Sequence, residues 1–178
     1  MDCQEWALER IMKRRFIVDL GSHLPVLMKV VSMTQGPILE LGAGAFSTTY
    51  LHWVCYLTNR RLVTYESSSS WYKFAQRFYD KNFHDIRCIN DWDSIDISEP
   101  WSIAFVDHGP PERRRIELYR LHHSDYVVIH DASDKDIRKY RIGTALSKFK
   151  YYYRYELASP MTTIVSNKHD LSNFTVKP

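Results

Sequence analysis

Residues 38–48 read ILELGAGAFST, and this stretch decides the fold. An apolar run that suits a buried strand passes directly into a glycine-rich turn, and Ser47 and Thr48, either of which can cap a helix, follow. Gly42 permits a sharp turn of the backbone, and Gly44 lets a ligand approach the main chain with no Cβ in the way. A strand, a glycine turn and a helix in this order predict a ligand-binding βα unit.

Five short apolar runs of the chain each pass into a carboxylate, at Glu40, Glu66, Asp91, Asp107 and Asp131. Such runs without polar alternation are typical of strands buried on both faces, as in a parallel sheet covered by helices. Since parallel strands share one carboxyl edge, we expect the five acids to line one rim, where open α/β sheets bind ligands. The alternation of strands and helices predicts an α/β fold with a doubly wound, mostly parallel sheet and helices on both faces.

The length of 178 residues, without an internal repeat or a linker, predicts a single domain over residues 1–178. The segment after the fifth strand begins with a capping box, Ser133 and Asp136. The apolar stripe that follows predicts that this helix continues to residue 149, with Ile142, Ala145, Leu146 and Phe149 on one face. Two aromatic and β-branched runs around a tight turn then predict a terminal antiparallel hairpin. The remaining predicted parts are N-terminal helices within 4–33 (4–16 and 23–33), a core over 36–166 and a loose polar tail over 167–178.

The composition is that of an ordinary soluble globular protein, with 44% hydrophobic and 25% charged residues. A net charge of +3 is too small to indicate a nucleic-acid partner by itself. The first 16 residues carry charges where a signal peptide needs an apolar core, and no apolar stretch reaches the ~18 residues of a spanning helix. Three cysteines without metal-ligand spacing fit a reducing compartment, so we expect a cytoplasmic protein without a membrane contact. Cys55 and Cys88 fall in apolar patterns, which predicts that both are core residues.

The second predicted strand ends at Glu66, 22 positions after Gly44, close to the ~20-residue offset at which such folds place an acid on ribose hydroxyls. A phosphate-binding P-loop is excluded because no GKS or GKT follows the glycines. A dinucleotide fingerprint requires a third glycine at position 47, which is Ser47, and Glu40 would repel a pyrophosphate. The acids instead favour a nucleoside that carries positive charge and no phosphate.

With its E-x-G-x-G turn, the acid that ends the second strand and the terminal hairpin, the chain resembles class I S-adenosylmethionine-dependent methyltransferases over roughly residues 20–166. The resemblance implies S-adenosylmethionine as cofactor and a seven-stranded sheet of order 3-2-1-4-5-7-6 with strand 7 antiparallel. It also implies that the glycine turn holds the methionine moiety, that Glu66 holds the ribose, and that residues after the third strand flank the adenine. The candidate cofactor-binding residues are Glu40, Gly42, Gly44, Ser47, Glu66, Ser67, Asp91, Trp92 and Asp107.

Acids and histidines follow the fourth and fifth strands, and the candidate catalytic residues are Asp107, His108, His130 and Asp131. The pairs resemble those of catechol-type O-methyltransferases, in which the corresponding acids and an adjacent Asn hold Mg²⁺. Position 132 is Ala, so one of the three expected ligands is missing, and we assign no metal ligand in this sequence. A metal-free alternative makes His108 or His130 a general base, since imidazole accepts protons near neutral pH.

We therefore predict a methyltransferase that methylates oxygen or nitrogen of a small molecule. One alternative is a non-catalytic methyltransferase-like protein that binds a partner through Arg113–Arg115 and the tyrosines of the hairpin. Another is a methyltransferase directed to nucleic acid, although a basic run such as Arg113–Arg115 is more often a solvated helix face. Trp71 is interpreted as an anchor of its helix rather than as a wall of the adenine pocket.

Overall fold

The computed structural model describes residues 20–176, and a seven-stranded sheet of order β3-β2-β1-β4-β5-β7-β6 forms its centre. The order confirms the prediction, as does the antiparallel pairing of β7 with both of its neighbours. The strands are β1 (Ile38–Leu41), β2 (Leu62–Glu66), β3 (His84–Cys88), β4 (Ile103–Val106), β5 (Tyr126–Ile129), β6 (Tyr151–Tyr155) and β7 (Thr162–Ser166).

Helices cover both faces of this sheet, as predicted. They are α1 (Leu24–Ser32), α2 (Ser47–Thr58), α3 (Ser69–Ala75), α4 (Arg114–Arg120), α5 (Asp134–Lys139) and α6 (Gly143–Leu146), with 3-10 turns at Gln76–Phe78, Trp92–Ser94 and Pro111–Arg113. α1 confirms the predicted helix at 23–33, whereas the predicted helix at 4–16 lies outside the described residues. Among residues 20–176, no helix combines the length and the apolar character needed to cross a bilayer.

The direction of winding reverses at β1, and this reversal opens the site. β1 pairs in parallel with β2 on one side and with β4 on the other. The chain continues from β2 to β3 in one direction and from β4 to β5 in the other. Connections that diverge from neighbouring strands leave a crevice at their carboxyl ends, which is where ligands bind in open α/β sheets.

The strands of the sheet present alternate residues to two separate cores. Leu39 and Leu41 of β1 pack in the core beneath α4 and α6, while Ile38 packs in the core beneath α1 and α2. Glu40 also belongs to the α1–α2 side by this alternation, since successive strand residues point to opposite faces. A carboxylate therefore enters an otherwise apolar layer directly below the glycine turn.

Three local predictions need correction. Neither Ser47 nor Thr48 is the N-cap of α2, because Phe46 occupies that position and Ser47 is the first helical residue. The helix that begins at the confirmed Ser133 capping box ends at Lys139 instead of continuing to residue 149, and Arg141 with φ of 56° separates α5 from α6. Cys88 is exposed rather than part of the core.

The predicted loose tail is also corrected, because part of it is packed against the sheet. Leu171 and Phe174 are buried in the core beneath α1 and α2. The Phe174 ring lies 4.8 Å from that of Tyr153 in β6. The polar composition concealed this packing, since only three of the residues at 167–176, Leu171, Phe174 and Val176, pack in this core.

Candidate active site

A cleft lies at the carboxyl edge of the sheet, between the glycine turn and the segment that follows β4. It consists of two cavities that share Ala43, Trp71 and Asp107. The Glu66 cavity, of about 430 Å³, is lined by the shared residues with Glu66, Ser67, Ser68, His108, Gly109 and Pro110. The His23 cavity, of about 320 Å³, is lined by the shared residues with Leu20, His23, Gly44, Ala45, Phe46, Arg114, His130, Asp131 and Pro160.

Gly42 allows the glycine turn to lie against the segment after β4. Its φ is +94°, and a Cβ at this position would lie only 2.6 Å from the backbone nitrogen of His108. A Cβ on Gly44 would meet only the Ser47 hydroxyl, at 3.0 Å, and Gly44 lines the His23 cavity. Gly42 is thus required by the fold of the turn, while Gly44 keeps the main chain accessible from the cleft.

Glu66 is held in place by the backbone on either side of the cleft. Its carboxylate accepts hydrogen bonds from the Ala43 N–H at 2.7 Å and from the Ser68 N–H at 2.5 Å. A carboxylate has about four lone-pair sites, so two remain for a ligand. Ser67 lies beside Glu66 on the wall of the same cavity.

Glu40 is not on the rim, which corrects the prediction that all five acids line one edge. Its side chain is fully buried and accepts hydrogen bonds from the Thr64 hydroxyl at 2.7 Å and the Thr48 hydroxyl at 3.0 Å. Thr48 in turn accepts from the Gly44 N–H at 3.0 Å. Burial raises the pKa of Glu40 to about 7, against the opposing effect of these hydroxyl donors. Glu40 supports the turn from below instead of facing a ligand.

Three further predicted site residues are buried. His108 is buried, with its ring stacked on Trp92 at 4.0 Å and its Nε2 3.3 Å from Oε2 of Glu117. Trp92 is buried as well and donates its indole N–H to the Gly109 carbonyl. Ser47 is buried at the start of α2. A general-base role for His108 is therefore corrected, because its ring points into the core beneath α4.

Asp91 is exposed, and its side chain caps the 3-10 turn that follows by accepting from the Asp93 N–H at 2.9 Å. Its contact with an adenine stays a prediction. Trp71, in contrast, borders both cavities and is 39% exposed, which corrects its interpretation as a helix anchor.

The sequence interpretation missed Arg114, which connects the segments that follow β4 and β5 through hydrogen bonds. Its buried guanidinium donates to the carbonyls of His108 and His130 and to Oδ1 of Asp107 at 3.0 Å, and lies 3.5 Å from Asp131. The signal was present in the spacing, because Leu118 lies one helical turn further along the same buried face.

The basic run 113–115 is therefore not a uniformly solvated face. Arg113 pairs with Asp93 at the surface and with Glu117 at 3.2 Å, and Arg115 is exposed. Only one of the three arginines is thus available to an external anion without breaking a contact.

His130 is held between two oxygens. Its Nδ1 lies 3.1 Å from Oδ2 of Asp107, and its Nε2 lies 2.9 Å from the Ser22 hydroxyl. Ser22 donates its proton to the Pro160 carbonyl, which can only accept, so the Ser22 oxygen accepts the Nε2–H of His130. Burial alone would lower the pKa of His130, but the hydrogen bond and charge of Asp107 outweigh it, and the net direction is upward.

His23 was not identified from the sequence, and it lies at the bottom of the His23 cavity. It is 2% exposed, and its ring centroid is 4.8 Å from that of His130 and 4.9 Å from that of Phe105. Burial and the neighbouring His130 lower the pKa of His23 to about 4. Neither ring nitrogen has a hydrogen-bond partner among the residues that the structure describes.

Asp131 projects from a left-handed backbone, with φ of 51°, and lines the His23 cavity. A catechol-type Mg²⁺ between Asp107 and Asp131 does not fit this arrangement. The Arg114 guanidinium already bridges the two carboxylates, and Ala132 is buried without a ligand atom in its side chain.

By sequence, no family model and no curated protein matches this chain. Solved structures do match it. N-methyltransferase NodS from Bradyrhizobium japonicum aligns with a TM-score of 0.61 at 14% identity, over 83% of this chain and 95% of that chain. Cofactor-bound Rv0187 from MTB aligns with a TM-score of 0.59 at 14% identity, over 82% and 79%. The methyltransferase from Pyrococcus furiosus aligns with a TM-score of 0.53 at 15% identity, over 82% and 83%.

This chain has the fold of class I S-adenosylmethionine-dependent methyltransferases. In this structure, the switch point between β1 and β4 coincides with the cleft that the glycine turn, Glu66 and Asp107 form. At identities of 14–15%, the structural similarity establishes the fold alone.

Proposed function

We propose that this protein is an S-adenosylmethionine-dependent methyltransferase that acts on an oxygen or nitrogen of a small molecule. The observation that carries the proposal is the convergence of Gly44, Glu66 and Asp107 on one cleft at the switch point of the sheet. A glycine turn with only a structural role would not require the accessible backbone of Gly44 to share one cleft with the carboxylates of Glu66 and Asp107.

The two cavities would bind different parts of the ligands. The free lone pairs of Glu66 are suited to ribose hydroxyls, with Ser67 alongside and Trp71 as an aromatic wall. The methionine moiety would lie along Gly44 towards Asp107, whose carboxylate suits an ammonium group. When bound, S-adenosylmethionine supplies a methyl group on a sulfonium leaving group. These cleft residues would suit a cationic nucleoside without phosphate.

The acceptor would enter the His23 cavity, whose apolar walls include Leu20, Phe46 and Pro160. Asp131 is placed to accept a hydrogen bond from the acceptor's hydroxyl or amine and to take its proton, because its contact to Arg114 is long at 3.5 Å. His130 is a positioning residue in this scheme, since both of its ring nitrogens are engaged. The protein's main contribution is alignment, which can supply several kcal/mol of a transfer barrier.

Ligand-induced stabilisation tests the cofactor. At 100 times its dissociation constant, a ligand stabilises the folded state by ~2.7 kcal/mol. For a chain of this size we expect S-adenosylmethionine and its demethylated product each to raise the Tm by about 5–10 °C in a thermal-shift measurement. NAD, which carries a pyrophosphate, should give no shift. Stabilisation by NAD and not by S-adenosylmethionine would contradict the proposal.

A further inference from the structure

Three donor side chains converge at the bottom of the His23 cavity. One ligand atom from each of His23, Asp107 and His130 lies within 4.8 Å of the other two. Two imidazoles and one carboxylate are a donor set that suits zinc, iron(II) and related ions, in contrast to the oxygen ligands that Mg²⁺ prefers. A shared ion would hold such atoms roughly 3–4 Å apart, since ligand distances are about 2.0–2.2 Å, so small side-chain movements would close the set.

A site without a metal does not explain why both ring nitrogens of the buried His23 are unpaired among residues 20–176. Its imidazole is 98% buried, lines the cavity and has no hydrogen-bond partner for either nitrogen among residues 20–176. Buried polar atoms are nearly always paired, and an unpaired one in a native fold needs a cause such as an ion. A neutral imidazole in this position is a ready metal ligand.

The contacts of His130 also favour a cation at this position. Because its Nε2–H is donated to Ser22, its Nδ1 in the neutral ring presents a lone pair to Oδ2 of Asp107 at 3.1 Å, and two acceptors then face each other. A second proton on His130 would satisfy this pair of atoms but would leave His23 without a partner. A divalent cation satisfies the three donors together.

Ser22 and Arg114 hold two of the three candidate ligands in place. Ser22 fixes the orientation of the His130 ring through Nε2, and Arg114 holds Oδ1 of Asp107, which leaves Oδ2 directed at the cluster. Such partners are typical of metal-binding histidines and carboxylates. Arg114 also excludes an ion from the Asp107–Asp131 side, so the cluster uses the opposite face of Asp107.

We propose that His23, Asp107 and His130 form a binding site for a divalent first-row transition metal, with open positions that face the acceptor cavity. Bound there, the ion would act as a Lewis acid on an acceptor oxygen or nitrogen beside the methyl donor. The site goes beyond the proposed function, since binding of S-adenosylmethionine through Glu66 does not require it.

Zinc binding to the chelator-treated full chain tests the site. We expect one Zn²⁺ per chain by calorimetry, and Mg²⁺ should bind far more weakly. His23→Phe retains an aromatic ring in the same space and removes both nitrogens, and it should weaken Zn²⁺ binding by at least about 100-fold, the upper end of losses from outer-shell changes alone. Asp107→Asn should do the same. His169→Phe, which replaces an exposed histidine, is the matched control and should bind as the wild type does.

A second measurement needs no variant. In wild-type protein with ¹⁵N-labelled histidine, Zn²⁺ should shift the imidazole nitrogens of two residues, assigned to His23 and His130, and leave the other six histidines unchanged. Undiminished Zn²⁺ binding in His23→Phe, or loss of binding on Asp131→Asn alone, would overturn the site. Binding of S-adenosylmethionine in the same samples shows separately whether the proposed function holds.

Discussion

Glu40 shows how one residue of the glycine motif acts without touching a ligand. The carboxyl lies in an apolar layer, where the hydroxyls of Ser47, Thr48 and Thr64 donate hydrogen bonds to it, and the charge of Glu66 adds to the effect of burial. Thr64 also contacts the Nε2 of His84, whose pKa burial lowers to about 3, so that ring brings no positive charge to Glu40. The network favours a protonated Glu40 over much of the acidic range.

This network predicts a pH-dependent stability. Because the folded-state pKa of Glu40 is about 7 and the value for an accessible Glu is 4.5, its contribution is fully present below pH 4.5 and is lost as the pH rises to about 7. One pKa unit corresponds to about 1.4 kcal/mol, so the loss is about 3 kcal/mol. Relative to Glu40→Gln, the free energy of unfolding of the wild type should fall by this amount over that interval in urea titrations.

The matched control for this prediction is Glu99→Gln, since Glu99 is exposed and pairs with Arg61 at the surface. Its pH profile should run parallel to that of the wild type. A parallel profile for Glu40→Gln as well would mean that Glu40 is not held in the buried state described here.

At the residue scale, the sequence predicted which acids lie near the ends of strands. It did not show whether each side chain faces the cleft or the core. Glu66 is the last residue of β2 and Asp107 directly follows β4, and both line the cleft. Glu40 is the third residue of β1, where alternation sends it to the α1–α2 face. His23 escaped notice because the N-terminal segment that carries it is brought to the cleft only by tertiary packing.

At the scale of elements, the segment after β7 is a structural part of the fold. Leu171 and Phe174 return across the α1–α2 face of the sheet and cover Tyr153 and its neighbours. The burial of two large side chains is worth roughly 1.5–3 kcal/mol each. The sequence could not show this, because three apolar residues spread over a polar segment make no clear periodic pattern.

Phe174→Ala should therefore destabilise the protein by about 3 kcal/mol, within the range for buried Phe→Ala substitutions. Chemical denaturation measures the change, and Leu157→Ala, at a side chain 69% exposed, provides the comparison and should be nearly neutral. A change below about 0.5 kcal/mol in Phe174→Ala would show that the terminal segment does not contribute to the core.

At the scale of the whole molecule, the sheet order could be predicted and the details of the site could not. The five strand-forming runs and the hairpin predict a doubly wound sheet, because parallel connections are right-handed and each buried run needs helices on both sides. The order 3-2-1-4-5-7-6 came from the resemblance to class I S-adenosylmethionine-dependent methyltransferases. The cleft depends on long-range contacts such as Arg114 with Asp107 and Ser22 with His130. Local sequence patterns carry little information about such pairs.

The topology also separates the two ligand sites that we propose. Glu66 lies at the end of β2, on one side of the switch point, and the cluster of His23, Asp107 and His130 lies on the other side, towards β5. Asp107 is common to both cavities. A cofactor and an acceptor would therefore meet over Asp107, at the carboxyl end of β4.

Calorimetric titration of S-adenosylmethionine into the wild type and into Glu66→Gln tests the central claim most directly. Hydrogen bonds to a charged group contribute about 1.5–3 kcal/mol, so we predict that Glu66→Gln binds at least about 10-fold more weakly while keeping its fold, and that Glu99→Gln binds normally. Equal affinity in the wild type and Glu66→Gln, or no binding to the wild type, would contradict the account.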